Sequence, residues 1–148
     1  MTNQAKVAEP VVRKQITIDA PVSKVWHLLT SPALIKRWML DTEIEVISDW
    51  QVGSSIRFRG DLHGKYEQKG TIVQFEPNVV FAYTSWSALS RLPDKAENYT
   101  TVEFNLIPAD NQTMLIVTHR NLIAETAVEH ASFYWNGTLG IIKKIAEE

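Results

Sequence analysis

The sequence predicts an α+β fold, a curved antiparallel sheet of six to seven strands around one long C-terminal helix. Three observations predict it. From Glu43 to Arg120 the chain runs in short stretches of alternating apolar and polar residues, broken by turn residues. From Glu125 to Glu148 the apolar residues recur at helical spacing instead. Between the first strand and that long run stand two short helical patterns, in IDAPVSKVWHLLTSPALIKRW.

Val12 to Ile18 reads as a strand with Val12, Lys14, Ile16 and Ile18 on one face; Lys14 marks it as an edge. Asp19 or Ala20 suits a helix cap, and Pro21 suits the first turn. Val22, Val25, Trp26 and Leu29 follow helical spacing. Ser31 and Pro32 read as N-cap and first residue of a second helix, lined by Leu34, Ile35 and Trp38. Strands then follow at Glu43–Ser48, Ser55–Arg59, Tyr66–Glu76, Val79–Trp86, Tyr99–Ile107 and Met114–Arg120. Turns are expected at Gly53, Asp61–Gly64, Pro77-Asn78 and Asp110-Asn111, and a polar loop at Ala88–Asn98. Strands joined by short turns pair antiparallel. The final helix, at ~1.5 Å per residue, carries a stripe of Val128, Ala131, Trp135, Leu139, Ile142 and Ile145, widened by Tyr134 and Ile141. Gly137 and Gly140 interrupt it. Either they are tolerated surface positions, or Gly137 leaves room for other backbone or a ligand.

Composition narrows the function classes. The chain has 148 residues, net charge −2 and no cysteine. Residues 1–10 read as a flexible tail and 11–148 as one domain. The charge argues against nucleic acid, which calls for a basic face. Absent cysteines exclude disulfides, thiolate zinc sites and cysteine nucleophiles. No metal-binding histidine motif, phosphate loop or nucleophile elbow is present, so no metal, cofactor or catalytic residue is assigned. No apolar run spans a membrane and no signal peptide precedes the domain, so a cytoplasmic protein is expected.

The ordered segments ITIDAPVSKVWHLLTSPALIKRW, GSSIRFRG, GTIVQFEPNVVFAYTSW, TTVEFNLIP, LIVTHRNL and YWNGTLGIIKK resemble the SRPBCC or START-like helix-grip superfamily. Within it, the chain is most similar to the activator of Hsp90 ATPase homologue-like family, from Val12 to Lys144. That resemblance implies a helix-grip fold with a cavity between sheet and long helix. Superfamily members carry lipids, sterols, hormones or polyketides, and some catalyse cyclisation or hydrolysis. It also implies a possible chaperone partner, though a chain read as one domain has no separate N-terminal chaperone-binding module.

The expected role is therefore binding of a small apolar or aromatic ligand. The alternatives are a co-chaperone-like interaction protein, or a cyclase- or hydrolase-like enzyme using Tyr83, Tyr66 or His119 as acid or base. The candidate ligand-facing residues are Trp38, Phe58, Phe81, Tyr83, Trp86, Phe104, His119, Tyr134, Trp135 and Leu139. Trp26 is expected in the core. A one-residue slip in register would move any strand residue to the other face. His119 is the best polar group for a pocket, although a lone inward histidine is more often a satisfied core residue. His27 and His63 are expected in solvent, and Arg57, Arg59 and Arg120 on the surface. The chain is read as a monomer or homodimer.

Overall fold

A computed structural model describes residues 11–40, 44–60 and 65–148. The expected tail at 1–10, the start of the strand at Glu43, the turn at Asp61–Gly64 and His63 lie outside the described residues. The elements are β1 (Val12–Ile18), α1 (Val22–Thr30), α2 (Pro32–Trp38), β2 (Glu45–Ser48), β3 (Ser55–Gly60) and β4 (Tyr66–Glu76). They continue with β5 (Val80–Ser87), β6 (Thr100–Ala109), β7 (Gln112–Arg120) and α3 (Glu125–Ala146). The strands form one antiparallel sheet in the order β1-β7-β6-β5-β4-β3-β2. β1 is an edge strand, as the intermediate position of Lys14 suggests.

Local chemistry sets the joints. Pro21 occupies the N-cap of α1 rather than its first turn, and no side chain caps that helix. Ser31 and Pro32 stand at N-cap and first position of α2 as expected, although the Ser31 hydroxyl makes no cap bond. Asp110, at φ 58°, and Asn111 form the two-residue turn between β6 and β7, closed by the Ala109–Gln112 pair. Asp tolerates this left-handed backbone better than most residues.

β4 is not a simple ladder. Its pairing with β5 shifts between Ile72 and Gln74, so Val73 is extra and 42% exposed. The bulge puts Ile72 and Phe75 on the same inward side, although they are three residues apart. At this end Gly70 lies against β5: a Cβ there would stand 1.7 Å from the Thr84 carbonyl oxygen. Only a residue without a side chain permits that approach.

The inner stripe of α3, with Ala131, Trp135, Leu139, Ile142 and Ile145, is buried, and Val128 is partly so. The helix's C-terminal end is fastened to the β1–α1 junction. Glu147 accepts the Asp19 backbone N–H at 2.7 Å, and Lys143 donates to the Thr17 carbonyl at 2.9 Å. Arg37 of α2 pairs with Glu148 at 2.7 Å. Gly137 and Gly140 face outward, with no neighbouring atom within 4 Å of an added Cβ. Both glycines are therefore surface positions, and no other part of this chain approaches Gly137.

These two glycine environments predict opposite responses. Gly70→Ala should destabilise by roughly 2–3 kcal/mol, because backbone must move to admit the methyl group. Gly137→Ala should stabilise by about 0.5–1 kcal/mol through helix propensity. Urea denaturation midpoints check both; equal midpoints for the two variants would refute the assignment.

Candidate functional site

The sheet register arranges the inner face in rows. Leu106 faces Leu115 at one end. Val117, Phe104, Phe81 and Phe75 follow side by side. Next come His119, Val102, Tyr83 and Ile72. The last row is Thr100 and Ser85, joined from β4 by Gln68, whose Nε2 donates to Ser85 Oγ at 3.2 Å. Side chains thus become smaller and more polar along the sheet.

The first rows are filled by rings. Phe81 packs against Trp26, Trp50, Phe75, Tyr83 and Phe104 with centroid separations of 5.3 to 6.3 Å. Trp38, 4% exposed, closes this cluster from α2, with its Nε1–H on the Leu28 carbonyl at 2.8 Å. The hydroxyls and amide of the last row cannot fill the same space. Under α3 they leave a cleft of about 510 Å³, within the usual range for small-molecule sites.

Trp38, Phe58, Tyr83, Val102, Trp135 and Met39 make its apolar walls; Gln68, Ser85, Thr100 and His119 supply polar atoms. A second compartment of about 470 Å³ adjoins it. The two share Gln68, Ser85, Thr100, His119, Leu122, Ala127 and His130. The outer one extends past Trp86, Leu89, Leu92 and Ile123. Among the described residues, no Asp, Glu, Lys or Arg lines either compartment.

His119 is held on both nitrogens. Trp135 Nε1 donates to its Nδ1 at 3.2 Å, and its Nε2 lies 2.9 Å from Thr100 Oγ1. An indole nitrogen can only donate. Nδ1 must therefore be the bare acceptor, and Nε2 carries the hydrogen that Thr100 accepts. Burial pushes the imidazole pKa down to about 4. Protonation of Nδ1 would set two donors against each other, so geometry and desolvation both keep His119 neutral. The satisfied reading of this histidine holds.

Tyr83 is 7% exposed and lines the cleft. Burial raises its pKa, with a smaller contribution from Tyr134. Tyr134 is 43% exposed as a residue, but its hydroxyl end is turned inward; burial raises its pKa too, partly opposed by the Thr138 hydroxyl. Both phenols therefore remain protonated and can donate to a ligand oxygen.

Six of the ten residues anticipated from sequence line the cleft: Trp38, Phe58, Tyr83, His119, Tyr134 and Trp135. Phe81, Phe104 and Leu139 also face inward, but their surfaces are consumed by packing at the filled end or beneath α3. Trp86 stands three residues from Tyr83 on a regular strand and so faces away. It stacks on Tyr99, lies under the Lys69 ammonium at 5.5 Å and reaches only the outer compartment. Sequence reasoning missed Gln68, Ser85 and Thr100; their sign was polarity at inward positions of otherwise apolar alternation. His27 is exposed, and Arg57, Arg59 and Arg120 pair with Glu67 and Glu103 at the surface. Among the described residues no group of acidic, histidine or cysteine side chains could hold a metal, and no helix is long and apolar enough to cross a membrane.

The sequence family described as "Activator of Hsp90 ATPase homolog 1-like protein" matches residues 19–147. The chain belongs to this family. No curated protein matches it. A solution structure of ChR145 from Cytophaga hutchinsonii is similar at 34% identity and TM-score 0.79, over 91% of this chain and 92% of that one. The Aha1 dimer from Colwellia psychrerythraea shares 23% identity at TM-score 0.73, over 93% and 96%. CalU16 from Micromonospora echinospora shares 21% at TM-score 0.66, over 93% and 74%. The last two show the fold alone. The helix-grip architecture expected of the family is present here, with the sheet curved around α3 and two short helices after β1.

His119 makes stability pH-dependent. Its folded pKa lies below the ordinary 6.5, so the unfolded chain binds the extra proton. Stability from this group is complete above pH 6.5 and declines as pH falls toward 4, by roughly 3 kcal/mol in all. Urea midpoints measured from pH 7.5 to 4.5 should fall accordingly, and His119→Gln should flatten the slope. An unchanged slope in the variant would place the titration elsewhere.

Proposed function

We propose that the cleft binds a small, uncharged apolar or aromatic molecule in the cytoplasm. The observation that carries this reading is the unfilled space of about 510 Å³ between aromatic walls, which Tyr83 also lines. A ligand ring would replace the packing that the last row of the sheet does not supply, and a ligand oxygen would accept from Tyr83. Binding is favoured over acid–base turnover at His119, because both its nitrogens are already committed.

Native mass spectrometry of the purified chain, with extraction of anything bound, tests for a natural occupant. Titration with the neutral probe N-phenyl-1-naphthylamine tests the space itself. Saturable 1:1 binding is expected, weakened at least tenfold by Ala131→Phe, which fills the cleft from α3. Tyr83→Phe should leave the probe, which has no oxygen, unaffected. A folded Ala131→Phe protein that binds as wild type would refute the location.

A second reading, self-association, is favoured by one residue. Phe133 on α3 is 84% exposed, beside the bare backbone of Gly137 one turn on. The dimeric Colwellia relative makes a second copy of the chain the partner to test. Sedimentation velocity should then show a dimer that Phe133→Ser dissociates; a monomer at all concentrations would end this reading.

A further inference from the structure

The outer compartment differs in chemistry from the inner one. Its wall carries Ser87, Ser90, Asn98, Asn121 and Thr126 beside Leu89 and Leu92. The hydrogen bonds already made there show what remains available. Ser87 Oγ accepts the Leu89 backbone N–H at 3.1 Å, and Ser90 Oγ accepts that of Leu92 at 3.2 Å. Each hydroxyl keeps its own hydrogen to donate.

Asn98 Nδ2 donates to the Pro93 carbonyl at 2.9 Å. Asn121 Nδ2 donates to the carbonyls of Glu97 at 3.1 Å and Tyr99 at 2.8 Å. Carbonyl partners fix which amide atom faces them, because only the nitrogen can donate. Both amide oxygens are therefore left as acceptors. The wall thus offers donors and acceptors together, with no Asp, Glu, Lys or Arg among the described residues.

That mixture fits hydroxyl groups, which both donate and accept. A phosphate or carboxylate needs donors and a countercharge. An ammonium needs acceptors and a carboxylate. The inner compartment, by contrast, is walled mainly by rings, with the phenols of Tyr83 and Tyr134 among them. Seven residues line both spaces, so the two lie side by side.

We infer that the joined compartments form one bipartite site for an uncharged ligand with a flat aromatic head and a hydroxyl-rich appendage, such as an aryl glycoside. The inference rests on the proposed function, since the head occupies the inner cleft. Ser87, Ser90, Asn98 and Asn121 address the appendage, and Gln68 is among the residues that line both compartments.

Isothermal titration calorimetry on the full chain separates the two claims, using 2-naphthol, 2-naphthyl β-D-glucopyranoside and 2-naphthyl phosphate. The glucoside should bind at least about fivefold tighter than naphthol, and the phosphate at least about tenfold weaker. Ala124→Trp, which fills the outer compartment from its wall, should bring the glucoside to the naphthol level and leave naphthol unchanged. Ser90→Ala, a smaller change at the rim, should weaken the glucoside alone, by about two- to fivefold. Naphthol binding with no preference for the glucoside would overturn the bipartite site while leaving the cleft proposal standing. Tightest binding by the phosphate would overturn the requirement for neutrality. Binding of none of the three would overturn both proposals.

Discussion

The site depends on the hydrogen bond from Trp135 to His119. Trp135 is the large side chain through which α3 reaches the middle of the sheet, where it packs edge-on against Phe104 at 5.5 Å. Its indole N–H is buried and needs an acceptor. Across from it, β7 presents His119 Nδ1. That demand selects one tautomer, the tautomer directs Nε2–H to Thr100, and the last row of the sheet is thereby ordered.

The cleft is the consequence of a size gradient, not of a missing element. One end of the inner face is filled by rings from α1, the β2–β3 connection, β4, β5 and β6. At the other end the strands present a serine, a threonine and a glutamine, which satisfy one another and stop short of the helix. Interiors are ordinarily packed to near-crystalline density. A face that is dense at one end and open at the other concentrates its vacant volume where the polar atoms are, and a cavity with both rings and donors suits a ligand with both.

The strand order and the two helices after β1 were readable because alternation, Gly, Pro and Asn-Asp turns and a long helical stripe all point to one topology. The inward positions of Val102, Phe104, Leu115, Val117 and His119 followed from period two. Reading stopped where period two stops. The Val73 bulge brings Phe75 inward, a shift that only the partner strand reveals. Trp86 was placed on the wrong side for the inner cleft because Tyr83 and Trp86 cannot both face inward along a regular strand. Phe81 and Phe104 do face inward, yet whether an inward ring touches ligand or another ring is decided by neighbours distant in sequence, such as Trp26 and Trp50. Ser85, Thr100 and Gln68 were passed over because a small polar residue among apolar ones reads as an exposed position, although Ser85 is 9% exposed.

One field accounts for the chemistry of the cleft. Burial raises the pKa of Tyr83 and of Tyr134 and lowers that of His119. Opposite shifts in acids and a base have the same meaning, that the environment disfavours charge of either sign. No lysine, arginine or carboxylate lines the space among the described residues to reverse this. A charged ligand group would lose its hydration and gain no counter-ion, a penalty of several kcal/mol. A neutral ligand meets no such penalty and finds phenols that stay protonated as donors. The exclusion of charge is therefore built from the same burial that holds the imidazole and phenols neutral, and selectivity for uncharged molecules needs no dedicated repulsive residue.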